Sequence, residues 1–545
     1  MGRAFATAYL AAEPAANEFF APRFRDPGAR IARTRAAAEN PLPPVLLGVI
    51  RDQQAALPPS AARQAHLNVL AAGRAAVVLT GQQVGLFLGP LYSFYKAASA
   101  VVVARALQAE SGVPCVPIFW LQTEDHDFAE IRTATIANAE GEPVRLELAD
   151  ELGGEGRASV AQRVLPAQVC DLLNALAETL GGGPAADEVM RLLRAAYQPG
   201  VGPAAAFACL LATLFAEEGL VVFDPRDARV ASLAAPIYRD LIENADRVEA
   251  GLREREAALI AAGFDVQVPI RERTSLIFFH RDGPAGSRFR IQRTRATNGG
   301  DPTWLLTGAG ESVSRARLLD ALARDPLCFS TSALARPIVE DSLFPTAAYV
   351  GGPGEINYFA QLPPLYEHVG LAPPLLIPRA RFCVVDTRAR RRLNQLGLVA
   401  ADLAAPAHEL RARLKVAPPS QTADPRELRA VVAQRVAPAV DEIAAAVAGF
   451  DSGSRRAAER VRKSIAGGLE RLIDRYARKL LERDSITARR LRDLERSLYP
   501  DRIPQERYYA WPSIAGRLGV REYKELVMNR LAEEPFTSTV HEIHP

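Results

Sequence analysis

The chain has 545 residues, 48% hydrophobic and 24% charged, and its 66 basic side chains nearly cancel 63 acidic ones for a formal charge of +3. These proportions exclude wholesale disorder and a fibrous repeat, and the length allows roughly three to four domain-sized units. No Lys/Arg run alternates with aromatics, so nucleic-acid binding has no electrostatic support. The amino end, MGRAFATAYLAAEP, lacks a long apolar stretch, and no later run reaches the ~18 apolar residues a membrane span needs, so a cytoplasmic protein without membrane association is expected. Cys115, Cys170, Cys209, Cys328 and Cys383 stand singly, without a C-x-x-C pair, as reduced thiols do.

Residues 1–70 read as short helices broken by proline turns. Residues 75–80 (AAVVLT) are then a nearly unbroken apolar run, the pattern of a strand buried on both faces, and it stops at a glycine-rich turn at 81–85. Residues 91–110, rich in Ala and Val, read as the following helix and 113–121 as a second strand. That is the length and order of a β-α-β unit, and it predicts an α/β fold with a Rossmann-like, doubly wound parallel core. Two inserted segments follow: a helical one at about 140–215 and a mixed one at about 226–345, β-rich from 265 to 306, with a buried strand at 220–223 between them. Residues 375–378 and 382–386 are expected to return the chain to the sheet and close the core unit, 1–386.

Residues 387–499 read as an antiparallel α-helical coiled coil. Asp424 caps a helix that starts at Pro425 and runs to Phe450, and a turn follows at 451–454. Val461, Ile465, Leu469, Leu472 and Tyr476 then recur at spacings of four, four, three and four along a helix reaching 498. A single apolar stripe predicts a hairpin that also pairs with a second subunit. Residues 500–545, carrying Tyr508, Tyr509 and Trp511, are expected to pack back on the core.

Three stretches carry groups suited to chemistry. The first holds Thr80, Gly81, Gln82, Gln83, Gly85, Gly89, Tyr92 and Lys96. A glycine-rich turn leading into a helix exposes backbone N–H groups where a phosphate or carboxylate can sit. Lys96 is the single lysine among the first 414 residues of an arginine-rich chain, which points to a need for a compact ammonium. The glycines lie four apart, so G-x-G-x-x-G is not matched, and a tight turn for close packing is the alternative. The second is Glu124, Asp125, His126 and Asp127 at the end of the second strand. His126 can act as a general base near neutral pH and the carboxylates can orient an amine; helix capping and surface acidity are the plainer readings. No second histidine lies at ligand spacing, so no metal site is predicted. The third holds Tyr349, Gly351, Gly352, Gly354, Glu355, Asn357, Tyr358 and Gln361, a loop open enough for a substrate or a purely structural turn.

Together these stretches resemble one family, the bacillithiol biosynthesis enzymes called BshC. The resemblance rests on 80–92 with Lys96, on Phe119-Trp120 with 124–128, on Asp224-Pro-Arg-Asp227, and on the block from Arg336 through Glu355 to Gln361, with Glu367-His368 and Pro378-Arg379. It implies a core similar to class I nucleotidyltransferases, a coiled coil that makes a homodimer, and a ligase that adds cysteine to the amine of glucosaminyl malate. It also implies association with an adenine nucleotide, with magnesium entering only alongside it. The H-I-G-H and K-M-S-K-S motifs of class I do not occur in the chain. Among the catalytic candidates Lys96, Glu124, Asp125, His126 and Asp127, the first turn with Lys96 is expected to hold an anion, His126 or Asp127 to accept the amine proton, and the 351–355 loop to position substrate. Another ATP-dependent ligase, or a non-catalytic nucleotide-binding coiled-coil protein, are the rival readings.

Overall fold

The computed structural model describes residues 3–21, 23–150, 158–294, 303–414, 423–448, 452–482, 485–537 and 539–545. Five apolar segments form its central sheet: β1 (Ala76–Gln82), β2 (Cys115–Leu121), β3 (Val221–Phe223), β4 (Thr346–Gly351) and β5 (Leu375–Pro378). All neighbours run parallel, in the spatial order β3-β2-β1-β4-β5. Every residue of β2 and β4 is buried, as in a sheet with helices packed over it, so these strands carry unbroken rather than alternating apolar runs. The chain passes from β1 through helix α1 (Leu91–Ser111) to β2, and much later returns on the other side of β1 as β4, which leads through Gly352 into a short helix, α2 (Pro353–Phe359). The order therefore reverses between β1 and β4, and in such sheets a crevice opens at the carboxyl ends of the two strands.

Helix α1 is buried along most of its length. The sheet covers one side and the carboxyl-terminal tail the other, where Tyr523 donates its hydroxyl to Tyr95 Oη at 2.7 Å and stacks on Phe94. The first insertion opens before residue 140, with an antiparallel hairpin of Thr133–Ala137 and Pro143–Glu147, and continues in helices Val169–Leu180, Pro184–Ala196 and Pro203–Leu214. The second contains a five-stranded antiparallel sheet in the order Ser312–Ser314, Thr303–Leu306, Arg288–Arg293, Thr274–His280, Phe329–Thr331.

After β5 the chain departs from expectation. It bends at Arg379 and Ala380, and Arg381–Val384 leaves the central sheet to pair in parallel with Val540–Ile543 of the tail. Side chains satisfy its other backbone groups: Val384 N–H donates to Gln505 Oε1 at 2.8 Å and Phe382 N–H to Glu506 Oε2 at 3.3 Å, partners 121 and 124 residues away. Nothing local in the sequence marks such a pairing.

In the helical region Asp424 caps Arg426 N–H at 2.8 Å, and the helix continues from Pro425 through a π-type turn at Val432–Val436 to Ala448. Phe450 and Asp451, the expected helix end and turn, lie outside the described residues; 452–454 already belong to helix α3 (Ser452–Leu481) and not to a turn. The two helices are antiparallel, with Arg462 paired to Asp441 and Arg429 to Glu470. The buried face of α3 is not the expected stripe. Ile473, Ala477, Leu480 and Leu481 are buried while Val461, Ile465 and Leu472 are exposed, because Ala477 and Leu481 pack on Val385, Leu393, Leu403 and Leu410. A separate helix, Ser485–Leu498, replaces the expected continuation to 498.

Candidate active site

The crevice at the strand-order reversal is a cleft of about 1410 Å³. Lys96 lies in its wall, only 3% exposed, with Nζ 2.5 Å from Glu355 Oε2 and 2.6 Å from the Gly81 carbonyl oxygen. Two contacts leave one ammonium proton for a ligand. Tyr349 donates its hydroxyl to Glu355 Oε1 at 2.6 Å, and Gly352 N–H donates to Oε2 at 2.8 Å. Burial by itself would raise the Glu355 carboxyl, but the charges of Lys96 and Arg336 and these hydrogen bonds bring it below the ordinary glutamate value, so it is ionised at neutral pH. Arg336 extends the network inward, donating to Glu340 Oε1 at 2.6 Å, Tyr349 Oη at 3.2 Å and Tyr358 Oη at 2.6 Å. Glu340 is wholly buried and its Oε2 has no hydrogen-bond partner among the described residues; burial pushes its carboxyl up to about 7 in spite of Arg336.

The acidic turn after β2 forms another wall. Glu124 Oε2 accepts from the Thr331 N–H at 3.1 Å and its hydroxyl at 2.6 Å, tying the core to the inserted sheet. Asp125 accepts from His126 N–H at 2.7 Å, Gln83 Nε2 at 3.0 Å and Arg288 Nη1 at 3.1 Å. Burial alone would raise Asp125, yet hydrogen bonds from His126 and the Arg288 charge hold it well below the usual carboxylate range. His126 Nδ1 lies 2.8 Å from Arg288 Nη1. The same Nδ1 lies 3.4 Å from Asp125 Oδ1. Toward the guanidinium, which only donates, Nδ1 accepts and the neutral ring's proton is on Nε2; toward Asp125 it donates and Nε2 keeps the lone pair. With Arg288 as its partner His126 donates through Nε2; with Asp125 as its partner it keeps at Nε2 the lone pair of the expected base. Asp127 is exposed; its Oδ1 caps Glu130 N–H at 3.3 Å, while Oδ2 has no partner among the described residues.

Of the sequence candidates, Gln82, Gln83, Tyr92, Lys96, Glu124, Asp125, His126, Asp127, Gly352, Gly354, Glu355 and Tyr358 line this cleft. Thr80, Gly81, Gly85, Gly89, Tyr349, Gly351, Asn357 and Gln361 do not, and their contacts are internal. Thr80 Oγ1 donates to Val350 O at 2.9 Å and pins β1 to β4, beside which Gly351 pairs with Pro378 of β5. A Cβ on Gly81 would sit 3.0 Å from the Trp120 carbonyl oxygen, and one on Gly85 would sit 2.8 Å from Gly89 Cα. Tyr349 supports Glu355 from within the core. Asn357 accepts from Ala6 N–H at 2.7 Å, and Gln361 bonds both backbone groups of Val268.

The expected anion cradle at the start of α1 is closed. Leu91 N–H donates to Tyr509 O at 2.9 Å, Leu88 N–H donates to Tyr197 Oη at 3.1 Å, and Pro90 pairs with Ala510 of the tail. The Leu88 and Leu91 N–H groups are thereby committed within the protein and are not offered to a carboxylate or phosphate.

Three arginines that build the site have no counterpart among the sequence candidates. Arg288 comes from the inserted sheet and Arg336 from the helix before β4. Arg379 follows β5, forks onto Glu506 of the tail with two 2.8 Å bonds and lies 5.6 Å over the Tyr92 ring. Arg336 and Arg379 were legible only as members of the blocks that carry the resemblance, and Arg379 also by its place directly after a strand whose carboxyl end faces the crevice.

Fold and site together define a Rossmann-type α/β enzyme whose cleft gathers cations and carboxylates. Residues 2–380 match the family model for the bacillithiol biosynthesis BshC N-terminal Rossmann-like domain, and residues 382–536 match that for its C-terminal coiled-coil domain. The chain belongs to the BshC family of bacillithiol biosynthesis. Among its relatives, proteins named "Putative cysteine ligase BshC" are 33% identical over 446 residues in Solibacter usitatus, covering 82% of this chain and 80% of that one, and 35% identical over 389 residues in Salinibacter ruber, covering 71% and 68%. One from Koribacter versatilis is 34% identical over 446 residues, covering 81% and 79%. The junction between the two family matches falls at the bend where the chain leaves the central sheet.

Proposed function

We propose that the chain is a cysteine ligase that forms the amide between the carboxyl carbon of cysteine and the amine of glucosaminyl malate. The observation that carries this reading is the meeting, in one cleft of a BshC family member, of the buried Lys96–Glu355 pair with the acidic turn at 124–127. Amide formation needs a neutral amine, an acyl carbon bearing a leaving group, and positive charge for the oxygen that becomes anionic. Asp127, through its uncommitted oxygen, takes the proton of the sugar ammonium. His126 donates through Nε2–H to hold the substrate, and the remaining Lys96 proton faces the oxygen that gains charge. The C–N bond forms as the leaving group departs with its electron pair. An adenine nucleotide with magnesium would supply the activation of the carboxyl; the closed turn before α1 offers its phosphates no cradle, and no step here runs through it.

On the hairpin, Ile443, Val447, Val461, Ile465 and Leu472 are exposed apolar side chains that a second copy would cover, which supports a homodimer. The five cysteines are all unpaired, in keeping with a reducing cytoplasm. Among the described residues no helix is long and apolar enough to cross a membrane.

Incubation with glucosaminyl malate and cysteine, with and without Mg-ATP, followed by thiol-selective mass detection, tests the proposal. Bacillithiol is the expected product, and its dependence on ATP decides whether a nucleotide activates the carboxyl. Folded protein that makes none in either condition overturns the reading. A screen of other amine acceptors separates it from a ligase of different specificity.

A further inference from the structure

We propose that Arg271 and Arg290 form an anion subsite in the wall that the inserted sheet gives the cleft, taking the paired carboxylates or linked phosphates of a polyanionic substrate. The proposal deepens the ligase reading and takes the identity of the dicarboxylate from it. Side chains alternate along a strand, so Arg288 and Arg290 share one face of Arg288–Arg293. Both line the cleft, with guanidinium carbons 3.6 and 5.5 Å from the centre of the Phe278 ring.

Their partners differ. Arg288 is fully engaged, with Ser330, the Thr331 carbonyl, Asp125 and His126. Arg290, half-buried, has neither a carboxylate nor a hydrogen-bond acceptor on its side chain among the described residues, and the same holds for the exposed Arg271, which lines the same cleft. Lys96, Arg163, Arg336 and Arg379 each meet a carboxylate within the protein. Arg507, on the tail side of the cleft, has no side-chain partner among the described residues. Burial first, and then the charge of Arg271, push the pKa of Arg290 down, as expected for neighbouring cations that lack a counterion. An anion entering the cleft supplies that counterion. A guanidinium fork bonds carboxylate and phosphate with two parallel hydrogen bonds, and two forks side by side suit two linked anionic groups. With the turn before α1 closed, the malyl end of the acceptor and the phosphates of a nucleotide share this chemistry.

Titration calorimetry on the full chain, with L-malate, glucosaminyl malate, ADP and methyl glucosaminide as probes, tests the subsite without needing turnover. Arg290→Gln and Arg271→Gln are expected to weaken the anion that occupies it roughly tenfold or more. Arg290→Lys should restore part of that loss, and binding of the malate-free glucosaminide should not change. Weakening of the malate-bearing probes alone assigns the carboxylates; weakening of ADP alone assigns the phosphates. Unfolding midpoints equal to the parent's establish that the variants are folded. If no anionic probe binds the parent protein, or neither glutamine variant changes any anion's affinity, the subsite is overturned. Malate binding that depends on these arginines in a protein that makes no bacillithiol would retain the subsite and remove the ligase reading.

Discussion

Taking one charge from the Lys96–Glu355 pair leaves the other buried without its counterion, a change that costs about 3–5 kcal/mol in comparable pairs. Glu355→Gln should therefore lower the urea unfolding midpoint markedly as well as remove ligation; an unchanged midpoint would mean that the pair does not hold the cleft wall. Behind it, Glu340 gives a pH dependence of definite sign. Its folded carboxyl titrates near 7, above the unfolded value, so between the two the folded state holds a proton the unfolded state has lost. Its contribution to stability is present at low pH and falls as pH rises through that window, by at most about 1.4 kcal/mol per pH unit. Urea midpoints measured from pH 5 to 7.5 should show this fall, and Glu340→Gln should flatten it. In the acidic turn, Asp127→Asn is expected to lower turnover by ~100-fold, and His126→Gln, which keeps a donor, by less. The opposite ranking in steady-state rates would return the role of base to His126. Lys96 was legible because a lone lysine stands out in an arginine-rich chain. The role of His126 was not, since its Nδ1 sits between Asp125 and Arg288, the latter 162 residues away. Arg336 and Arg379 stood in the blocks that carry the resemblance but without an assigned role, and Arg288 could not be singled out among 66 basic residues.

At the scale of elements, four strands of the central sheet could be read directly, because burial on both faces leaves an unbroken apolar run; β4 could not, because it ends in the glycine-rich stretch read as an open loop. Helix α3 shows the limit of such reading: its periodicity announces a stripe, but which stripe is covered depends on Val385, Leu393 and Leu403, which arrive from another segment. The turn between β1 and α1 was legible as a turn and not as a closed one. Gly85→Ala places a Cβ against the Gly89 backbone, which has no flexible side chain to yield, and should cost ~1–3 kcal/mol in thermal unfolding. Its closure depends on the tail, which is anchored by the buried Arg379–Glu506 fork. Glu506→Gln is expected to loosen that tail, seen as faster hydrogen exchange across residues 505–515 with the central sheet still protected. Unchanged protection there would assign the anchoring to the aromatic contacts of Tyr509, Trp511 and Tyr523 alone.

Over the whole molecule, three hydrophobic clusters answer to the sheet with its inserted strands, the α1 side with the tail, and the base of the helical hairpin. The hairpin's outer part contributes little to any of them and keeps Ile443 and Val461 exposed. Lysine at both positions should convert a dimer to a monomer by light scattering while the thermal midpoint changes little; a parent protein that is already monomeric at micromolar concentration would rule out this use of the surface. The covering of α1 by the tail also bears on how the chain is made. The tyrosines whose hydroxyls meet across it lie 428 residues apart. A ribosome adding ~5–20 residues per second needs roughly 20 to 90 s to cover that interval. Through that time the nascent core carries an unprotected apolar helix face, so the catalytic half should mature late in translation and depend on chaperones until then.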